Sequence, residues 1–190
     1  MLIYLHGFRS SPSSFKARWL QERMHTLGLA AECLCPALPV SPKAAIAQIL
    51  NDCAPRASDT LVGSSLGGCY ATHLAEQLGC RAVLLNPSTR PASSLSQYLG
   101  VQTQYHDPAT TFVLEPQHLE ELANLQTQRI TRPERYFLIA ATGDEVLDWR
   151  EMVAFYRGAR HHVIEGSDHG LSDFADYADE VLRFAGYLPA

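Results

Sequence analysis

Short apolar runs separated by amphipathic stretches recur from end to end of the chain, and that alternation predicts its elements. The runs Leu2–Leu5, Glu32–Cys35, Thr60–Gly63, Ala82–Asn86, Tyr136–Ala141 and His162–Glu165 are leucine-rich or β-branched and mostly apolar on both faces. Parallel strands covered on two sides have that character. The stretches between them carry helix ends. Ser13 or Ser14 opens a segment bearing Trp19, Leu20, Met24 and Leu27, which Gly28 closes. Ser41-Pro42 places an N-cap before a proline at the first helical position, leading into Ile46, Ile49, Leu50 and Cys53. A further helix runs from Cys69 to Gln77 and ends at Gly79, and Ser172 is the expected cap of a last helix through Phe174, Tyr177, Val181 and Leu182. Strands alternating with such helices predict an α/β fold: a mostly parallel sheet of about six strands with helices on both faces.

One interval breaks the rhythm. From Pro87 to Pro133 the chain is at first rich in proline and serine, and it offers one helix, roughly Pro116 to Gln126. A stretch that long inside a compact domain is commonly a lid or binding loop; a packing excursion that shields the sheet edge is the structural alternative. Tyr98, Tyr105, Phe112 and Leu114 are its candidate lining residues. Residues 1–190 are expected to form one domain with this lid-like insertion at about 87–133.

Composition narrows the function classes. A chain of 190 residues that is 46% hydrophobic supports one well-buried core. Its formal net charge is -5, and no lysine or arginine stripe is visible, which argues against nucleic acid or an anionic membrane as the main partner. No apolar run approaches the ~20 residues of a membrane span. The opening Met1-Leu2-Ile3-Tyr4-Leu5-His6-Gly7 lacks a basic region and is expected to be a first strand rather than a signal peptide. The five cysteines, Cys33, Cys35, Cys53, Cys69 and Cys80, are odd in number and scattered. Cys33-x-Cys35 lacks the spacing of a redox or zinc pair, so free thiols in a reducing cytoplasm are expected.

The chemistry concentrates at Gly63-Ser64-Ser65-Leu66-Gly67, a Gly-x-Ser-x-Gly pentapeptide between the run Thr60-Leu61-Val62 and the helix from Cys69. Strand, turn and helix in that order form the setting of a nucleophile elbow, with Ser65 exposed on a strained turn and Gly63 and Gly67 at positions too crowded for a side chain. Gly68 adds a second small residue where the helix must start close to the sheet. A serine hydroxyl needs a base and a group to orient the base. Asp144 follows the strand Tyr136–Ala141, and His169 follows the strand His162–Glu165. Carboxyl ends of parallel strands share one edge, so Ser65, Asp144 and His169 can converge there. Asp148 is better explained as the start of a capping box through Glu151, Asp168 as a loop-ordering side chain, and Glu145 as pointing elsewhere on its turn. His25, His73, His106 and His118 are expected to be surface or lining residues. His161 and His162, adjacent on a strand, face opposite sides and are poorly placed to share a metal. For an oxyanion, the loop His6-Gly7-Phe8 after the first strand offers the backbone N–H of Phe8, and the elbow offers that of Leu66; His6 is expected to brace the loop.

These segments together resemble the bacterial YqiA/YcfP-like esterases of the α/β-hydrolase superfamily. The matching segments are Leu2 to Phe8 with the following Ser-Ser-Pro, Val62 to Gly68, Asn86-Pro87 with Arg90-Pro91, Thr142 to Asp148, and Ile164-Glu165-Gly166 with His169. The resemblance implies a small hydrolase lacking the usual first two strands, with Ser65, Asp144 and His169 as nucleophile, acid and base. The resulting expectation is a cytoplasmic serine esterase acting on small carboxylic ester or thioester substrates, without metal or organic cofactor. An acyltransferase or acyl-CoA thioesterase with the same triad, and a non-catalytic binding protein on a hydrolase scaffold, remain open.

Overall fold

The structure, a computed structural model, describes residues 1–105 and 107–189. The chain begins with β1 (Leu2–Leu5), α1 (Phe15–Thr26), β2 (Cys33–Leu34), α2 (Pro42–Gln48) and β3 (Thr60–Ser64). It continues through α3 (Leu66–Leu78), β4 (Arg81–Leu85), α4 (Pro91–Leu95), β5 (Gly100–Thr103), β6 (Thr111–Leu114) and α5 (Pro116–Leu125). It ends with β7 (Tyr136–Ala141), α6 (Trp149–Phe155), β8 (Arg160–Ile164) and α7 (Ala178–Ala185). Six strands form one sheet in the order β2-β1-β3-β4-β7-β8, every neighbouring pair parallel.

Alternation along the strands divides the core in two. In β7, Tyr136, Leu138 and Ala140 face one layer, and Phe137, Ile139 and Ala141 face the other. The first layer is closed by α2, α3, α5 and α6 through residues such as Ile46, Leu74, Leu122 and Met152. The second is closed by α1 and α7 through Leu20, Met24, Val181 and Leu182. Burial on both faces is why these strands read as continuous apolar runs.

Several local expectations meet their physical cause. Ser41 caps α2 by accepting the Ala44 N–H at 3.2 Å, with Pro42 at the first position. The helix then continues to Cys53 as a π-type turn. Asp148 caps α6 by accepting the Arg150 N–H at 2.9 Å. Gly28 and Gly186 follow helix ends with positive φ of 75° and 87°, where a side chain would be strained.

Three expectations need correction. Ser172 does not cap the last helix. A short turn, Phe174–Asp176, intervenes, and α7 starts at Ala178 with Asp179 and Glu180 in its first turn. Their charge suits the positive end of the helix, while the Ser172 N–H binds Asp168 instead. The second strand is only Cys33–Leu34, because Ala30–Glu32 coil into a tight turn before it. The interval 87–133 holds more than one helix: α4 and an antiparallel β5–β6 hairpin with Val101 opposite Val113 precede α5.

Candidate functional site

Every strand of the sheet ends on one edge, and the loops that leave it there carry the candidate residues. From β1 the chain turns outward to β2 and then crosses back to lay β3 on the other side of β1. The crevice where a parallel sheet reverses its winding is the usual place for a ligand. The loop His6-Gly7-Phe8 and Ser65 flank that crevice.

Ser65 has φ 53° and ψ -117°, a left-handed conformation that a residue with a Cβ adopts only under constraint. Its main chain is bound on all sides: Ser65 N–H donates to Leu85 at 3.0 Å, and its carbonyl accepts from Gly68 and Ser88. The glycines make this possible by their lack of volume. A Cβ on Gly63 would lie 2.3 Å from the Gly67 carbonyl oxygen, and one on Gly67 2.0 Å from that of Leu5. One on Gly68 would lie 2.5 Å from Pro87 Cβ. Although Ser65 flanks the start of α3, its side chain caps nothing, which leaves the hydroxyl free.

His169 Nε2 lies 3.0 Å from Ser65 Oγ, and its Nδ1 lies 2.8 Å and 3.0 Å from the two carboxylate oxygens of Asp144. The Asp144 side chain is 0% exposed, and its Oδ1 also accepts the N–H groups of Val146 and Leu147 at 2.8 Å each. Those bonds hold one carboxylate edge toward the imidazole, so Nδ1 carries the proton and Nε2 presents a lone pair to Ser65. The structure thus brings together three side chains drawn from the ends of β3, β7 and β8.

The neighbouring acids divide differently from expectation in one respect. Glu145 does not point away; its Oε2 accepts the His169 N–H at 2.9 Å, because that loop N–H has no strand partner and a carboxylate meets its need. Asp168 orders its loop by accepting the Ser172 N–H at 3.0 Å. Burial pushes its carboxyl up, but the Ser172 bonds and the Lys16 charge outweigh this and hold it below the usual range.

The loop after β1 is braced by His6. Its Nδ1–H donates to the Gly7 carbonyl at 3.0 Å, and its Nε2 accepts the Leu38 N–H at 3.1 Å. Burial, only partly offset by the Gly7 bond, lowers its pKa and favours this neutral ring. At Gly7 an added Cβ would lie 3.1 Å from Ser65 Cβ and 3.7 Å from its Oγ, so glycine keeps the space above the hydroxyl open. The N–H groups of Phe8 and Leu66 donate to no acceptor among the described residues. Beside them lies a cavity of about 70 Å³ whose apolar wall includes Phe8, Leu38, Leu66, Tyr70 and Phe112. The Phe8 ring packs edge-on to Phe112 at 5.5 Å and tilted against Tyr98 at 5.9 Å. Arg9 ties the hairpin to this loop, donating to the Thr103 carbonyl and hydroxyl at 2.7 and 3.1 Å. Its guanidinium sits 4.4 Å over the Tyr105 ring. Of the other lining candidates, Leu114 is buried in the core beneath.

One contributor was not visible as such in the sequence. Asn86, fully buried with φ 42°, donates both amide hydrogens, to the carbonyls of Asp168 at 3.0 Å and His169 at 3.2 Å, while its oxygen accepts the Ala141 N–H at 2.8 Å. In the sequence Asn86 stands only as the end of an apolar run, which suits many turns, and as part of the Asn86-Pro87 segment of the resemblance, with no role attached. His118 proves to be a buried cap of α5, accepting the Glu115 N–H at 3.1 Å, rather than a surface residue. His73 binds the Leu125 carbonyl at 3.0 Å, and His161 binds that of Tyr156 at 2.8 Å. His161 and His162 do face opposite layers, since His161 binds Tyr156 in the first layer while His162 packs edge-on to Tyr177 in the second. The reading of His106 lies outside the described residues. The five cysteines are free thiols, four of them buried.

Solved structures with this architecture are numerous. A protein from Agrobacterium vitis S4 superposes with a TM-score of 0.76 at 16% identity, covering 97% of this chain and 87% of that one. Mouse alpha/beta hydrolase domain-containing protein 10 gives 0.68 at 18%, over 96% and 89%. Est1E of Butyrivibrio proteoclasticus, solved with ferulic acid bound, gives 0.68 at 16%, over 96% and 86%. At such identities the likeness is one of fold, and the fold is that of the α/β hydrolases. The family itself follows from sequence: residues 1–186 match the uncharacterised protein family UPF0227, and the chain belongs to that family.

Proposed function

We propose that this protein is a serine hydrolase that cleaves small carboxylic ester or thioester bonds through an acyl-enzyme. The observation that carries the reading is the unbroken chain of hydrogen bonds from Ser65 Oγ through His169 to the buried Asp144 carboxylate. Ser65 Oγ attacks the carbonyl carbon as His169 Nε2 takes its proton, and Asp144 stabilises the imidazolium. The negative oxygen of the tetrahedral intermediate is received by the N–H groups of Phe8 and Leu66, the latter at the positive end of α3. As the intermediate collapses, the alcohol or thiol departs with the proton from His169. Water then attacks the acyl-serine, giving its proton to the same nitrogen and releasing the acid. The Phe8-lined cavity is the place for the acyl group, and Gln104 and Phe112, on the side of the β5–β6 strands, give it the lid side. The esterase domain from Rhodothermus marinus and a metagenome-derived lipolytic enzyme, both fold neighbours, support the same class.

A fluorophosphonate probe and a panel of chromogenic acyl esters and acyl thioesters test this. The wild-type protein should label at Ser65 and turn over at least one panel member. Ser65→Ala should lose labelling and about 10⁴-fold or more in kcat. A wild-type protein whose Ser65 resists the probe, with no turnover across the panel, would overturn the assignment.

A further inference from the structure

The loop that carries His169 belongs to no helix or strand, and side chains from three other elements hold it. Asn86 at the end of β4 binds the carbonyls of Asp168 and His169, and Glu145 beyond β7 binds the His169 N–H. The third is Lys16, the second residue of α1, whose ammonium donates to the carbonyl of Gly170. Three successive carbonyls are thereby fixed. Lys16 is only 8% exposed, on a helix whose neighbouring Ala17, Leu20 and Met24 pack into the core. A buried ammonium is costly to keep, and an apolar side chain would fill the space without that cost. The charged groups that face it are Asp168 and Asp144.

We propose that Lys16 is a positioning residue, pinning the His169 loop so that the imidazole stays in line between Asp144 and Ser65. For its activity readout this rests on the serine-hydrolase reading above. Burial drives the Lys16 amine down to about 8 from 10.5, against the upward pull of Asp168 and Asp144. The charge that strengthens this bond is therefore lost as pH rises through about 8, leaving the weaker donor of a neutral amine. The unfolded chain keeps that proton up to 10.5, so between the two values it binds more protons than the folded chain. The contribution of Lys16 to stability consequently grows with pH across this window. A fall in turnover there reports a loosened loop rather than unfolding.

The test pairs Lys16→Met with Lys16→Arg, reading kcat, KM, the pH profile and the NMR signal of the His169 Nδ1 proton, with folding checked by circular dichroism. Lys16→Met should lose roughly 10- to 100-fold in kcat at nearly constant KM, the scale of a misplaced catalytic group, and its Nδ1 proton signal should broaden. Lys16→Arg, charged at all pH values used, should recover most of kcat and lose the alkaline limb near pH 8. Wild-type kcat and an unchanged profile in a folded Lys16→Met would overturn the proposal. If Lys16→Met does not fold, a limb in Lys16→Arg unchanged from wild type would overturn it. If neither folds, the wild-type Nδ1 signal decides: it must weaken between pH 7 and 9 while the protein stays folded. If the wild type resists the fluorophosphonate, the hydrolase reading fails, and the Nδ1 signal alone judges the clamp.

Discussion

The turn around Ser65 and the excursion from 87 to 133 both begin at the same edge of the sheet but are held in place by different means. Around Ser65 the constraint is backbone against backbone. Gly63, Gly67 and Gly68 let main chains approach until no side chain fits, and the serine's own amide and carbonyl are fully bonded. The excursion is held mainly by side chains: Arg9 to Thr103, Phe8 against Tyr98 and Phe112, and Glu121 accepting from Ser41 and the Lys43 N–H, with the Tyr105 N–H adding a main-chain bond to the Arg9 carbonyl at 2.9 Å. It leaves Leu99, Val101, Tyr105 and Val113 exposed. A reacting atom must be placed to a fraction of an ångström, and main-chain contacts are the stiffest way to place it. An excursion that carries no reacting atom has no such need.

The largest expected effect follows from the first half of that contrast. In Gly67→Ala the new methyl would sit 2.0 Å from the Leu5 oxygen and 2.8 Å from that of His6, both main-chain atoms of β1 and its loop. Relief requires parting β1 from the start of α3, at a cost of about 3 kcal/mol or more. Urea denaturation should show that loss, or the protein should fail to accumulate. A Gly67→Ala variant of wild-type stability would mean that the turn is not fixed by its backbone.

The same contrast explains what could be read from sequence. The four inner strands, β1, β3, β4 and β7, were legible because burial on both faces writes each as an apolar run, and the elbow because its glycines are required by volume. The meeting of Ser65, Asp144 and His169 at 3.0 and 2.8 Å follows from placing each just past a parallel strand, so topology supplied the convergence. The β5–β6 hairpin was hidden. Its strands are four residues each, with no Asn-Gly or Asp-Gly turn, and the contacts that anchor it come from Phe8 and Arg9, about ninety positions earlier. The clamp on the His169 loop was hidden for a related reason. Asn86, Glu145 and Lys16 act through carbonyls and an N–H, and main-chain partners leave no trace in residue type. Ser172 misled because a Ser before an apolar pattern is a fair cap signal, whereas here a tight turn separates the two.

A middle-sized effect should come from Arg9→Met, which removes two hydrogen bonds to Thr103 and the stacking on Tyr105. A net cost of about 1–2 kcal/mol is expected, and its distribution matters more than its size. Amide hydrogen exchange should rise across 100–114 while β3 and β7 keep their protection. Equal loosening of β3 would break the contrast, because it would show the hairpin anchors also holding the serine turn.

The smallest effect is expected at the outer face of the hairpin. Val101 is 71% exposed and lies opposite Val113, so Val101→Thr keeps a β-branched shape in the strand and removes almost no buried surface. Stability should change by less than about 0.5 kcal/mol, and the exchange pattern of 100–114 should match the wild type. The hairpin would then owe its place to its inner contacts with Phe8 and Arg9 and nothing to its exposed side. A clear destabilisation measured by urea denaturation would instead require that outer face to be covered in solution, and the anchoring from within would no longer suffice to account for the position of the hairpin.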